Sequence, residues 1–476
     1  MAQGGEVTMR RGSGVLLHIS SLPGNYGIGS FGREARAFLD FLADCGFCYW
    51  QMLPFCMPDR YHSPYKSVSA FSCNPYFIDL PDLKERGLLS DQELAEERQA
   101  SPYLCEFDRL AQTRLALLGK AAERAAADSV MSRKIDVFLQ GHPQVELFCW
   151  YMEQKGTYTK QVWAFTQYML SVQWKTVKDY AARRGIQLIG DLPMYVDCNS
   201  ADLWASPHLF QLDAQGNPVC VAGVPPDYFS PDGQLWGNPL YHWEEMKKDG
   251  YAWWRQRMAY LFEFFDGVRI DHFRGIASYF SIPAGAETAR DGVWRPGPGT
   301  AFVDCLREAA AGRLIIAEDL GTVTDQVEAL VAYSGFPGTR VLQFGFSQKD
   351  SPHLPHNYGA NTAAYTGTHD NNTLLGYIWE LDPESRQRLF EYCECETEDW
   401  TKFCDAVLRT MLASHAGLVL FPIQDLLHFG SDTRMNRPGI GSGNWRYRVT
   451  EEQLASVDRD KFRRWNSLYG RIHENG

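Results

Sequence analysis

Three acidic residues stand at or just beyond the ends of short apolar runs. Asp271 closes Gly267-Val268-Arg269-Ile270, and Glu318 follows Leu314-Ile315-Ile316-Ala317. Asp370 lies just past Ala363-Ala364-Tyr365-Thr366, within Thr368-His369-Asp370-Asn371-Asn372. Short apolar runs of this kind read as buried strands. Side chains two apart on a strand share a face, so Arg269 and Asp271 point together. A guanidinium beside a carboxylate favours its charged form, so Arg269 is expected to lower the pKa of Asp271 and suit it as a nucleophile. The same pair serves equally to close one end of a barrel. Glu318 has no Arg or Lys beside it in the chain, and burial of such a group raises its pKa, as a general acid requires. Cleavage of a glycosidic bond needs such a pair, one carboxyl ionised and one protonated. Asp370 then binds sugar hydroxyls and stabilises positive charge in the transition state. His369 beside it is either a donor to the same sugar or a histidine of the core.

The elements that must hold these tips alternate along the chain. Strands are expected at 13–19, 48–53, 186–191, 267–270, 314–317, 339–344, 363–366 and 417–421. Helical patterns are read at 33–44, 160–182, 243–265, 324–334 and 383–414; in the first, Ala35, Phe38, Leu39 and Leu42 keep helical spacing and Gly46 is the stop. Eight strands alternating with helices favour an α/β fold, a closed (β/α)8 TIM barrel whose active site lies at the carboxyl ends of its strands. The acids then sit at the tips of the fourth, fifth and seventh strands and converge on one cleft. We expect one catalytic domain over 1–476 with two insertions. One is a helical subdomain at 81–160 after the second strand. The other is an active-site loop at 193–240 after the third, rich in Pro, Gly, Asp and Trp, and long loops of that kind are usually functional.

Composition sets limits on partners. The 476 residues are 45% hydrophobic, ample for a large core, and the net charge of −12 disfavours nucleic acid and anionic membranes. No run of about 18 apolar residues occurs, so no membrane span is expected. Residues 1–11 lack the apolar stretch of a secretory signal, and a cytoplasmic location is expected. Of 12 cysteines, only Cys45-x-x-Cys48 and Cys393-x-Cys395 are close pairs. Neither has a matching second pair or histidine spacing, so buried free thiols are expected rather than zinc. No metal or organic cofactor is expected. The sequence leaves the oligomeric state open.

Longer motifs narrow the reading. They are Ser21-Leu22-Pro23 through Gly27-Ile28-Gly29, Trp50-Gln51-Met52-Leu53-Pro54, Ser63-Pro64-Tyr65, Gly190-Asp191-Leu192-Pro193, Ala222-Gly223-Val224-Pro225-Pro226-Asp227, Leu235-Trp236-Gly237-Asn238-Pro239, Val268-Arg269-Ile270-Asp271-His272, Ala317-Glu318-Asp319-Leu320-Gly321, Gly367-Thr368-His369-Asp370-Asn371 and Arg434-Met435-Asn436-Arg437-Pro438-Gly439. In these the chain resembles the 4-α-glucanotransferases of the amylomaltase (disproportionating enzyme) family, within the wider α-amylase clan. The motifs keep family order from residue 14 to about 448. The 222–227 loop is the most specific, because other members of the clan lack it. The resemblance implies Asp271 as nucleophile, Glu318 as acid/base and Asp370 as transition-state stabiliser. It implies that Arg269, His369, Asp191 and Tyr65 line the subsite at the cleavage point, with Tyr65 stacked on the sugar. Trp236 is expected beside the donor or acceptor chain, and Asn372 and His272 as further substrate contacts. Two departures touch loop shape. Ser72-Cys73 stands where the family tends to have Ala-Gly, and Arg437 precedes Pro438 where a small residue is common.

The expected reaction is retaining transfer of α-1,4-glucan segments between malto-oligosaccharides. Two rivals use the same residues: a hydrolase on the same glucans, and a silent glucan-binding protein on a barrel scaffold. Retention of all three acids with Arg269 argues against the second. A cover formed by 222–239 that excludes water argues against the first.

Overall fold

In the computed structural model, which describes residues 9–58, 61–156, 158–226, 230–395 and 397–473, eight parallel strands close into a barrel. In chain order the strands are β1 (Gly12–Leu16), β2 (Tyr49–Gln51), β3 (Gln187–Leu192), β4 (Cys220–Val224), β5 (Gln234–Pro239), β6 (Gly267–Ile270), β7 (Ser278–Pro283), β8 (Val293–Pro296), β9 (Leu314–Ala317), β10 (Gly338–Val341), β11 (Thr362–Tyr365) and β12 (Leu418–Pro422). Around the barrel they run β1-β12-β11-β10-β9-β6-β3-β2. Each of the eight expected strands falls on one of these, and the (β/α)8 reading holds.

Alternation along the strands explains the two layers of core. Tyr49, Ile189, Ile316, Val341, Ala363, Tyr365, Leu418 and Leu420 point inward and fill the barrel. Their neighbours Trp50, Leu188, Val268, Ile315, Ala364 and Val419 point outward into the helical layer. That layer includes helix Arg33–Asp44, which buries Ala35, Phe38, Leu39 and Leu42 as its spacing predicts. It also includes Lys160–Arg183, whose Trp174 Nε1 donates to the Phe264 carbonyl at 2.8 Å. Toward the carboxyl ends the inward set turns polar: Gln51, Asp191, Arg269, Asp271 and Glu318 continue the same alternation. The Tyr365 hydroxyl, donating to Gln51 Oε1 at 2.8 Å, marks the changeover.

Several element readings change. The first strand ends at Leu16 and passes into the 3-10 turn Ile19–Ser21, and β10 ends at Val341 before the 3-10 turn Leu342–Phe344. The helix read at 243–265 is two, Trp243–Lys248 and Ala252–Phe264, because Gly250 and Tyr251 both take positive φ. The 383–414 helix also divides, into Pro383–Tyr392 and Trp400–Ala413. The stretch 193–240 contains more order than an irregular excursion. Its β4 and β5 form an antiparallel sheet, order β5-β4-β7-β8, with two strands from beyond β6 that periodicity did not reveal. β7 pairs with β4 from beyond β6, and β8 is short and joined to β7 by a long connection, so neither alternation nor a tight turn announces them.

Cys45 and Cys48 are buried, and burial pushes the Cys45 thiol up to about 12. Cys393 and Cys395 are only partly buried, unlike the expectation. Among the described residues no helix is long and apolar enough to cross a membrane.

Candidate active site

Barrel register brings the polar tips together. β3 and β6 pair with Asp191 opposite Arg269, and β6 and β9 pair with Ile270 opposite Ala317. One step further along, Asp271 and Glu318 are therefore neighbours. The Asp271 amide donates to Leu192 O at 3.0 Å, and the Glu318 amide to Ile270 O at 3.1 Å. Arg269 Nη1 donates to both Asp191 oxygens at 2.9 and 2.8 Å and to Asp271 Oδ1 at 3.1 Å. Burial opposes the Arg269 charge, but Asp191 and then Asp271 hold its pKa well above the ordinary range. A buried cation held this way depends on its partners, and losing one costs about 3–5 kcal/mol.

A second group arrives from the loops after β2 and β11. Tyr65 donates its hydroxyl proton to Asp191 Oδ2 at 2.8 Å, and its oxygen lies 3.3 Å from His369 Nδ1. A hydroxyl has one proton. With that proton on Asp191, His369 Nδ1–H donates to Tyr65. The two rings stack, 4.8 Å between centroids and 20° apart. His369 Nε2 stands 3.3 Å from Asp370 Oδ1. That same oxygen accepts from Asn436 Nδ2 at 2.6 Å, and Arg434 Nη2 donates to the Asp370 carbonyl at 2.5 Å. Trp445 flanks both rings of the stack, at 5.9 Å from Tyr65 and 5.8 Å from His369.

Glu318 has its own support. Its Oε2 accepts the His272 amide at 2.7 Å, and its Oε1 the Leu320 amide at 3.3 Å. His272 itself takes a left-handed φ of 52°, a conformation costing about 1–3 kcal/mol that the surrounding packing holds in place. Its ring is met edge-on by Trp236 of β5 at 4.8 Å. Burial, with Arg274 adding to it, lowers the His272 pKa to about 3, so the imidazole is neutral.

The two carboxyls differ in proton affinity. Burial raises Glu318 to about 7; Arg269 opposes this, and the Asp271 charge adds to it. Asp271 also rises, to about 6, which corrects the expected lowering. Arg269 does pull it down, but burial outweighs one guanidinium already shared with Asp191. Glu318 still keeps its proton to higher pH, because Asp271 alone of the two touches Arg269.

Sequence and structure comparisons converge. A family profile described as 4-alpha-glucanotransferase matches residues 17–164 and 150–454. A 4-alpha-glucanotransferase of Streptococcus pneumoniae is 41% identical over 500 residues, covering 98% of each chain. One from Thermus thermophilus is 40% identical over 484 residues, 94% of this chain and 96% of its own. The chain belongs to the 4-α-glucanotransferase family. An amylomaltase of Streptococcus agalactiae, solved in complex with acarbose, superposes with a TM-score of 0.94 at 35% identity, covering 98% of this chain and all of that one. An α-amylase of Lactobacillus plantarum shares the fold alone, at a TM-score of 0.51 and 10% identity over 97% of this chain and 81% of its own.

In this 4-α-glucanotransferase the expected site residues do not all meet. Asp191, Arg269, Asp271, Tyr65, His369 and Asp370 form one connected set, with Glu318, His272 and Trp236 adjoining it. Asn372 does not join them, since its amide donates to Glu380 Oε1 at 2.8 Å and Ser431 Oγ at 2.9 Å. Asn436 and Arg434, which the sequence carried only as a motif, and Trp445, which it did not single out, enter the site from the segment after β12. Asp227 of the 222–227 motif lies outside the described residues. Of the two departures, Cys73 is buried with its amide donating to Gln167 Oε1 at 2.8 Å. Arg437 donates to the Ser431 carbonyl at 3.3 Å.

Proposed function

We propose that this 4-α-glucanotransferase moves α-1,4-glucan segments through a covalent glucosyl intermediate on Asp271. Asp271 Oδ1 is engaged by Arg269, so Oδ2 is the oxygen free to attack C1. The bond from C1 to the leaving oxygen breaks as Glu318 passes its proton to that oxygen, and the shortened glucan departs. A second glucan then enters, Glu318 takes the proton from its 4-hydroxyl, and that oxygen displaces Asp271 from C1. Configuration is inverted twice and so retained. Asp370 and His369 hold hydroxyls of the reacting sugar, Tyr65 offers it a ring face, and Trp236 and His272 border the incoming chain. Asn372, spent on Glu380 and Ser431, supports the loop rather than the sugar.

The observation that carries this reading is the single guanidinium of Arg269 spanning Asp191 and Asp271 beside the protonatable Glu318. The reading extends to architecture and place. The 81–160 helices and the 193–240 insertion act as subdomains of one catalytic unit, and the enzyme works on malto-oligosaccharides in the cytoplasm. Asp271→Asn tests it on pure maltotriose, with products separated by length. An amide cannot form the glycosyl ester, so a folded variant retains less than about one-hundredth of the turnover. A variant near normal rate moves the nucleophile elsewhere.

A further inference from the structure

β8 is exposed along its length, yet it carries Trp294, with 39% of its surface in solvent. The ring is not loose. The Arg274 guanidinium lies 3.8 Å from its centroid, and its cross-strand partner Phe280 meets it edge-on at 5.1 Å. Gly292 leaves room for the Phe280 ring, since a Cβ there would stand 2.2 Å from Phe280 Cε1. Arg274 is only 4% exposed; its Nη1 donates to the Thr322 carbonyl at 2.9 Å and its Nη2 to Ser278 Oγ at 3.4 Å. Arg274 follows Asp271 by three residues, and Thr322 follows Glu318 by four. One fixed guanidinium thus ties the tryptophan to the segments leaving both carboxyls.

Barrel order gives the direction. The Tyr65–His369 stack comes from the loops after β2 and β11, which flank β1 and β12. β9 and β6 lie across the ring from that side. A glucan that begins at the Tyr65–His369 stack and crosses the carboxyls runs on toward Arg274 and Trp294. That is also the side on which Glu318 gives and takes its proton. An indole held by a buried arginine is a rigid surface on which the apolar face of a pyranose settles at little entropic cost.

We propose that Trp294 is a specificity-determining platform for the acceptor and leaving chain, stacking on a glucose unit beyond the one next to Glu318. The proposal rests on Glu318 as the acid/base. The test uses α-maltosyl fluoride as a fixed donor, with glucose and maltotriose as alternative acceptors, on wild type, Trp294→Ala and Trp294→Phe. The measured quantity is kcat/KM for maltotriose divided by that for glucose. Loss of one aromatic stack lowers this ratio about three- to tenfold in Trp294→Ala. Trp294→Phe, which keeps a ring, retains more of it. An unchanged ratio in Trp294→Ala overturns the platform, whether or not both rates fall together, and so does a Phe variant as impaired in the ratio as the Ala variant. The underlying reading fails separately: Glu318→Gln with normal turnover of maltotriose would sink it, whereas an unchanged ratio beside an inactive Glu318→Gln sinks only the platform.

Discussion

The protonation states make a demanding prediction for pH dependence. In the proposed mechanism transfer needs Asp271 ionised and Glu318 protonated. Activity therefore rises as Asp271 loses its proton, at about 6, and falls as Glu318 loses its own, at about 7. The optimum of kcat/KM lies midway, at about 6.5, and with limbs one unit apart only roughly 0.6 of the enzyme is correctly protonated there. The bell is narrow because burial raises both groups and Arg269 separates them only modestly. The perturbation is Glu318→Gln. On maltotriose it removes general acid catalysis, a loss of about 10²–10⁴ in rate. On α-maltosyl fluoride the leaving fluoride needs no proton, so the burst of fluoride release in the first turnover survives. Measured against pH, that burst keeps its rising limb from Asp271 and loses its falling limb. A falling limb that persists near pH 7 in Glu318→Gln refutes the assignment, since some other group then supplies it.

Further outcomes follow from single contacts. Tyr65→Phe removes a hydrogen bond to the Asp191 carboxylate, worth about 1.5–3 kcal/mol, so kcat/KM falls roughly ten- to a hundredfold; a change within about twofold would remove Tyr65 from the site's support. Shortening 225–233 between β4 and β5 loosens the hairpin whose Trp236 covers His272, and new reducing ends from maltotriose rise relative to redistributed chain lengths. An unchanged ratio in a folded variant would leave the hydrolase rival open. Stability has a pH signature as well. The folded pKa of Glu318, about 7, lies above the unfolded value of about 4.3, so the cost of burying its charge grows as pH rises through that window. Glu318→Gln therefore melts at the same temperature as wild type near pH 4 and higher than wild type at pH 8, read by calorimetry. Equal melting at both values would mean the Glu318 charge is not penalised by burial.

Much of the site was legible because period-two alternation and strand order are local properties of sequence. Val268 and Ile270 face out, so Arg269 and Asp271 must face in, and Glu318 follows Ile316 by the same rule. Local pattern also places those tips at the carboxyl ends of separate strands. It does not set the stagger between strands. Asp191 lies opposite Arg269 only because the closed barrel pairs β3 with β6 in that register, and this decides that one guanidinium is shared, so that burial of Asp271 outweighs it and raises the pKa. Burial, too, is a sum over the whole molecule, which no neighbouring residue reports. Asn436 reaches Asp370 across 66 positions of chain, and β7 finds β4 from the far side of β6 with β8 on its outer edge, by contacts that leave no periodic trace. Sequence alone placed Arg269, Asp271 and Glu318 at inward-facing positions by the carboxyl ends of their strands, because alternation and chain order are read residue by residue. Tertiary structure decided how they share charge, protons and neighbours, because register, closure and desolvation exist only once the barrel is shut.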